Sequence, residues 1–337
     1  MTESILGRVS GGGDLSQQEM ETVIDEIMQG RWADEEIGLL LTALRAKGET
    51  IDEIAGAAAA MRRHMTAIRT KCRGVLDTCG TGGDGSQTFN ISTAAALVAA
   101  AAGVPVAKHG NRGITSKSGS ANVLAELGVN IEANRETVEA CLDGVGICFC
   151  FAPLLHPSMK HVAAVRQKLG VPTIFNILGP LANPAGAPFQ LLGVGRAELR
   201  GVMAEVLRRL GTERALVVSG EDGLDEVTLA GVTHVSRVAG DAVTEFDWTP
   251  EDFGLVRQGL GPLRVSSAAE SASIIRGILA GESGPARDIV VLNAAAALIA
   301  GGKSNEPPDA ARQAAEAIDS GAAAELLDDL IERSKVI

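Results

Sequence analysis

A chain of 337 residues with 46% hydrophobic side chains is long enough for about two domains and a substantial core. Thirty Lys and Arg against 42 Asp and Glu leave a net charge of −12, which disfavours polynucleotide binding, and an aromatic content of 3%, with no Tyr, leaves few rings for stacking on single strands or sugars. The core must come from Ala, Val, Leu and Ile, with 40 glycines permitting close approach, a composition suited to an α/β fold.

Residues 1–70 read as helical. The N-terminus has no apolar stretch of signal-peptide form. Met20, Val23, Ile24, Ile27 and Met28 recur at helical spacing after Asp14-Leu15-Ser16. Asp34-Glu35-Glu36 puts acids in the first turn of the next helix, and Thr50 with Glu53 reads as a capping box. The apolar faces exceed what these helices alone would hide, which suggests a partner subunit.

From residue 74 short apolar strands alternate with helices, the pattern of a mostly parallel sheet covered on both faces. Val75-Leu76 leads into Gly80, Gly82, Gly83 and Gly85, and then into an alanine-rich helix over 92–103. A strand over 104–107, helices over 121–127 and 135–142, and a strand over 147–151 follow. No apolar run is long enough to span a membrane; 94–106 is broken by Gly103 and Pro105. Cys148 and Cys150 alternate on one face of a strand. With Cys72, Cys79 and Cys141 they read as free thiols, because no CxxC pair exists. Residues 153–185 interrupt the alternation and read as an excursion to the helical part. Strands over 191–194, 215–218 and 232–238, a helix over 197–210 and a largely helical stretch over 266–337 complete the chain. The expected architecture is α/β: a small helical N-terminal domain (1–73, joined by an excursion at about 157–187) and a larger α/β domain (74–337) whose central sheet is flanked by helices. A soluble cytoplasmic protein is expected.

Three polar loops fall at strand ends, where parallel sheets bind ligands. The glycine loop, with Asp84, Asn90, Ser92 and Thr93, offers backbone N–H groups and a helix N-terminus to an anion. It matches neither the P-loop nor the dinucleotide fingerprint. The loop over 108–120 concentrates three cations, four hydroxyls and three glycines into a positive island. The loop over 219–227 carries Glu221, Asp222, Asp225 and Glu226, which favour a cation; Mg²⁺ typically takes one or two carboxylates plus substrate phosphates. Together they suggest a Mg²⁺–diphosphate ligand. His156, Lys160, His161, Arg166 and Lys168 read as one helix with His156 and Lys160 on a shared face, and Arg166 could clamp a carboxylate. His64 and His234 have no evident partner. No nucleophile–base pair stands out, so the implied chemistry is positioning and charge stabilisation.

The segments GTGGD (80–84), NIST (90–93), KHGNR (108–112), SKSGSA (116–121), HPSMKHVAAVR (156–166), FNILGPLANP (175–184) and GLDEVT (223–228) together resemble the anthranilate phosphoribosyltransferases, of the nucleoside-phosphorylase-like phosphoribosyltransferase family. The resemblance runs in order over essentially the whole chain. It implies that the amine of anthranilate displaces pyrophosphate from C1 of phosphoribosyl pyrophosphate (PRPP), a step of tryptophan biosynthesis, assisted by Mg²⁺ (two ions) without an enzyme nucleophile. It implies PRPP contacts from Gly80, Gly83, Asp84, Thr88, Asn90, Ile91, Ser92, Thr93, Lys108, His109, Gly110, Asn111, Arg112, Gly113, Ile114, Thr115, Ser116 and Ser120. Gly80, Asn111 and Arg166 would touch anthranilate, with His109 and His156 lining its path. Ser92, Asp225 and Glu226 would hold the metal, and a homodimer would form through the helical domain. Two positions depart from the family pattern: Asn122 stands where Asp usually follows SGSA, and Leu154-Leu155 where Tyr often follows FAP. Two other readings share features of this one. Pyrimidine nucleoside phosphorylases carry similar loops, but Asp225-Glu226 and the 156–166 segment weigh against them. Some relatives of the fold bind nucleic acid, which the charge of −12 disfavours.

Overall fold

The computed structural model describes residues 2–113 and 118–336. Ile114, Thr115 and Ser116 of the expected PRPP set lie outside the described residues.

Helical periodicity at the N-terminus gives α1 (Thr2–Ser10), α2 (Gln17–Met28), α3 (Asp34–Lys47) and α4 (Ile51–His64). The apolar stripe of α2 is buried, and α2 packs along α4. Capping boxes start α2 at Ser16 and Glu19, and α4 at Thr50 and Glu53. Glu53 does more than cap. It is fully buried, accepts the Leu15 N–H at 3.0 Å, and meets Lys47 Nζ at 2.7 Å.

The remainder runs β1 (Leu76–Gly80), α5 (Ile91–Ala101), β2 (Val106–Gly110), α6 (Ser120–Leu127), α7 (Arg135–Val145) and β3 (Ile147–Phe151). Then come the short α8 (Ala152–Leu155), α9 (Lys160–Leu169), the short α10 (Phe175–Leu178), β4 (Phe189–Gly193), α11 (Leu199–Arg209), β5 (Arg214–Gly220), β6 (Thr233–Ala239) and β7 (Ala242–Trp248). The C-terminal part is α12 (Ala268–Leu279), α13 (Pro285–Ala300), α14 (Pro307–Asp319) and α15 (Ala322–Ser334).

The described strands form one sheet in the order β3-β2-β1-β4-β5-β6-β7. Pairing is parallel from β3 to β5 and antiparallel at β6 and β7. The mostly parallel sheet flanked by helices is the architecture expected from the sequence. Alternate strand residues enter different cores: Leu191, Leu216 and Val218 join the core that holds α5 and α13, whereas Leu192 and Val217 join the core shared by α2, α3, α4 and α11. The helical bundle is thus continuous with one face of the sheet.

Three local expectations change. The second strand starts at Val106 rather than 104, because Pro105 has no N–H for a ladder. Strand β7 is an addition: its residues are mostly exposed, with Thr244, Glu245 and Asp247 interrupting the apolar ones, so they carry little hydrophobic signal, and it is recruited by pairing with β6 along its whole length. His156 is not on the helix of Arg166. Helix α9 begins at Lys160, and His156 sits in the turn before it with φ −123°. It therefore does not share a helical face with Lys160.

Candidate active site

The carboxyl ends of β1, β2, β4 and β5 bring the glycine loop, the basic loop and the acidic loop together. Strand β1 ends at Gly80, and Gly82, Gly83 and Gly85 take positive φ of 67–81°, so the chain reverses where a side chain would be strained. Helix α5 then begins with Asn90 as its cap, the side chain accepting the Thr93 N–H at 3.0 Å. The same Asn90 donates its amide to the Ser118 carbonyl at 2.7 Å, tying the first loop to the second. Thr88 forms an isolated bridge with Arg264, and the Ser118 hydroxyl donates to the Thr88 carbonyl at 2.9 Å.

The acidic loop enters beneath the glycine loop. Gly80 and Gly193 are register partners at the ends of β1 and β4. A Cβ on Gly80 would lie 2.5 Å from Asp225 Oδ2, and one on Gly193 would overlap the Asp225 carbonyl oxygen. The paired glycines therefore make the slot that Asp225 occupies. The Gly82 N–H donates to Asp225 Oδ2 at 2.9 Å. Helix α13 holds the loop from below: the buried Asn293 accepts the Val227 N–H at 2.8 Å and donates to the Val227 carbonyl at 2.9 Å.

Electrostatics at this point are strained. Burial raises the Asp225 carboxyl to about 7, helped by the charge of Asp84. Burial and then the charge of Asp225 raise Glu226 to about 8, with Lys108 opposing. Two carboxyl groups buried side by side offer hard oxygen donors to a divalent cation, which would favour their ionised forms, and Ser92 stands beside Glu226. Ser92 also lies 3.2 Å from Lys108 Nζ. The residues thus fit a divalent cation that would need further ligands from elsewhere, since among the described residues no group of three or more His, Cys, Asp or Glu forms a self-sufficient cage. Glu221 and Asp222 do not join the pair. Both are exposed, and Asp222 instead accepts the Thr228 hydroxyl at 2.7 Å.

Lys108 and His109 belong to β2 and are buried, so they are not part of a solvated basic turn. Lys108 Nζ donates to the Thr78 carbonyl at 2.6 Å, and burial lowers its pKa against the pull of Asp77. His109 Nδ1 donates to the Gly179 carbonyl at 3.1 Å, which makes its Nε2 an acceptor for His156 Nε2, 3.2 Å away. Burial, followed by His156, pushes His109 down to about 3, and burial pushes His156 down to about 4, so both rings are neutral. Asn111, Arg112 and Gly113 follow at the mouth. Arg112 pairs with Glu132 at 2.8 Å and lies 5.7 Å over the Phe151 ring. Asn122 fixes this loop by accepting the Gly113 N–H at 3.0 Å, a bond an Asp would also make but with added negative charge. Gly110 is packed against Ser120, whose Oγ occupies the space a Cβ would need.

Arg166 lies on α9, its guanidinium 5.6 Å over the Phe175 ring and 3.5 Å from Asn176 Oδ1. Burial lowers its pKa, and no carboxylate faces it among the described residues. A desolvated guanidinium without a counter-charge is suited to an incoming acid. His64 and His234, read as lacking partners, each have one: Asp25 at 2.8 Å and Asp247 at 2.7 Å. The cysteines are free, with Cys148 and Cys150 Sγ atoms 3.9 Å apart on β3.

Asp77, Gly193 and Asn293 escape a reading of the sequence. A lone Asn in the otherwise apolar 289–300 run is the available signal for Asn293. Gly193 offers none, because the chain it admits lies about thirty residues on.

A bundle of helices beside a sheet whose strand ends gather glycine, lysine and acid pairs is the layout of an enzyme that grips a phosphorylated sugar. Family models agree: "Glycosyl transferase family, helical bundle domain" matches residues 3–65 and "Glycosyl transferase family, a/b domain" matches residues 73–324. The chain is 50% identical over 336 residues to the anthranilate phosphoribosyltransferase of Anaeromyxobacter sp. (strain K), covering 100% of this chain and 99% of that one. The crystal structure of anthranilate phosphoribosyltransferase from Thermus thermophilus superimposes with a TM-score of 0.93 at 42% identity, covering 98% of this chain and 99% of that one. The Saccharomyces cerevisiae enzyme in complex with PRPP and Mg gives 0.90 at 29% identity, covering 100% and 98%, and its complex with 4-fluoroanthranilate gives 0.89 at 28%, covering 100% and 99%. This chain belongs to the anthranilate phosphoribosyltransferase family.

Proposed function

We propose that the protein transfers the phosphoribosyl group of PRPP to the amine of anthranilate, releasing pyrophosphate and forming N-(5-phosphoribosyl)anthranilate for tryptophan biosynthesis. The observation that carries the reading is the seating of Asp225 against Gly80 and the Gly82 N–H, which binds the acid pair to the glycine loop at one point. The C1–O bond to diphosphate breaks, the C1–N bond forms, and the amine gives up one proton. Bound Mg²⁺ supplies charge neutralisation of the leaving diphosphate; we assign two ions, held by Ser92, Asp225 and Glu226. Gly80, Gly83, Asp84, Thr88 and 90–93 form one wall for PRPP, and Lys108, His109, Gly110, Asn111, Arg112, Gly113 and Ser120 the other. Arg166 takes the anthranilate carboxylate, Gly80 and Asn111 touch the ring's substituents, and the neutral His109–His156 pair lines the approach. No side chain forms a covalent intermediate; the residues hold the amine in line with C1 and keep water out.

The test is pyrophosphate release from PRPP with Mg²⁺. Release that requires anthranilate is expected, and thymidine or uridine phosphorolysis without PRPP use would sink the reading. Asp225→Asn combined with Glu226→Gln is expected to abolish Mg²⁺-dependent turnover.

The same reading divides the chain into a helical domain, 1–73 with the 157–187 excursion, and an α/β domain, 74–337. It pairs two copies through the helical domain, where Leu39 of α3 is 49% exposed. Sedimentation of Leu39→Asp against the parent chain tests this: a parent that sediments as a monomer overturns it. The substrates of the proposed reaction favour the cytoplasm; no described helix is long and apolar enough to cross a membrane.

A further inference from the structure

Strands β1 and β2 are neighbours, yet among the described residues they share a single register pair, Leu76↔Val106. On its other side β1 pairs with β4 over its whole length, as β2 does with β3. Beyond Leu76 the two strands stay side by side but share no further ladder pair among the described residues. In a parallel sheet their backbone groups would then lack partners, and buried groups must find others.

Side chains supply them. Asp77 Oδ1 accepts the His109 N–H at 3.0 Å. Asn183 Nδ2 donates to the Ala107 carbonyl at 2.8 Å, while its Oδ1 accepts the Ala185 N–H at 2.8 Å. Lys108 Nζ donates to the Thr78 carbonyl at 2.6 Å. Asp77, Lys108 and Asn183 are respectively 1%, 3% and 7% exposed, so these bonds form in the protein interior. Three side chains thus take the places of ladder bonds between the strands. Burying a carboxylate there is costly, and Asp77 Oδ2 has no hydrogen-bond partner among the described residues. A closed ladder would be the cheaper solution for stability alone. The stretch without ladder pairs leads to the ends of β1 and β2, from which the glycine loop and the 110–113 segment depart.

We propose that Asp77 and Asn183 are positioning residues that replace the ladder between β1 and β2, and that the spacing they set fixes the separation of the two loops that close on the diphosphate of PRPP. The inference rests on the PRPP-transfer reading above. Asp77 fixes the amide next to Lys108, Asn183 fixes the carbonyl before it, and Lys108 reaches Ser92 at 3.2 Å.

The test compares Asp77→Ala, Asp77→Asn and Asn183→Ala with the parent enzyme in steady-state kinetics, beside thermal unfolding of each. Removing the acceptor in Asp77→Ala is expected to raise KM for PRPP by about tenfold or more, with KM for anthranilate changed less than about twofold. Asp77→Asn keeps an oxygen for the His109 N–H and is expected to recover most of that loss. Asn183→Ala is expected to behave as Asp77→Ala does, and it decides the matter if Asp77→Ala does not fold. A merely structural role would lower unfolding temperature and affect both substrates alike. Equal behaviour of the Ala and Asn variants at position 77, or KM for PRPP within about twofold of the parent in Asn183→Ala, overturns the proposal. Failure of the parent enzyme to use PRPP would instead overturn the underlying reading.

Discussion

At the scale of single residues, the site depends on atoms that are absent as much as on those present. Gly193 leaves room for the Asp225 backbone, and no side chain could move to make that room, since the neighbour that a Cβ would meet is a main-chain carbonyl. Gly193→Ala is therefore expected to lower kcat/KM by about a hundredfold or more and to cost about 1–3 kcal/mol of stability through overpacking. Gly7→Ala, in α1 with nothing within 4 Å of its virtual Cβ, is the control and should be neutral or slightly stabilising. A kinetically normal Gly193→Ala would refute the slot. Arg166 makes a second residue-scale prediction. Loss of a charge-assisted pair with a carboxylate costs roughly 1.5–3 kcal/mol, so Arg166→Ala should raise KM for anthranilate about tenfold or more while KM for PRPP stays put. Equal effects on both substrates would mean that the guanidinium does not meet anthranilate. These cases show what was legible in the sequence. Motif residues such as Asp225 and Arg166 advertise themselves by charge in a loop or beside an apolar run. Gly193 and Asp77 act through close approach and the replacement of ladder bonds, which need three dimensions to appear.

At the scale of elements, the bundle hangs on a polar device inside an apolar stripe. Glu53 begins as the third residue of a capping box, visible in sequence as Thr50 and Glu53. Its burial and its bonds to Leu15 and Lys47 come from the packing of α2 and α3 around it. Glu53→Ala leaves the backbone donors of Leu15 and Thr50 without their acceptor, while Lys47 keeps Asp14 at 2.8 Å and the Gly48 carbonyl at 2.9 Å. A loss of about 3 kcal/mol in urea unfolding is expected, and a loss under about 1 kcal/mol would show that the bundle does not depend on it. Helix and strand positions were largely legible because apolar periodicity sets them. The exceptions have physical causes: Pro105 delays β2, the polar interruptions in β7 hide it, and His156 belongs to a turn whose residues have no period.

At the scale of the whole molecule, the His109–His156 contact joins β2 to the segment between α8 and α9, and His109 reaches on to Gly179 beyond α10. Both rings stay neutral to about pH 4, whereas in the unfolded chain each takes up a proton near its ordinary value of 6.5. Between these limits the unfolded state binds more protons, so stability falls as pH drops below 6.5 and is unaffected by them above it. Each ring contributes up to about 1.4 kcal/mol per pH unit in that window. Asp225 and Glu226, raised to about 7 and 8, act with the opposite sign, since protonation favours the folded state as pH falls through those values. A comparison isolates the rings: the parent protein should lose stability relative to the double variant His109→Gln with His156→Gln between about pH 6.5 and 4.5 in urea melts, and parallel curves would refute it.

Asn293 carries a consequence for the order in which the molecule is made. The acid pair leaves the ribosome long before the helix that pins it, because Asn293 follows Val227 by 66 residues. At roughly 5–20 residues per second that interval is about 3 to 13 seconds. During it the nascent chain carries the acidic loop without the Asn293 bonds to Val227, together with α5, whose apolar face waits for the same α13. Translation must therefore pass residue 300 before the acidic loop is pinned from below, and a transcript cut short upstream of that point leaves the alanine-rich α5 without the helix that covers it.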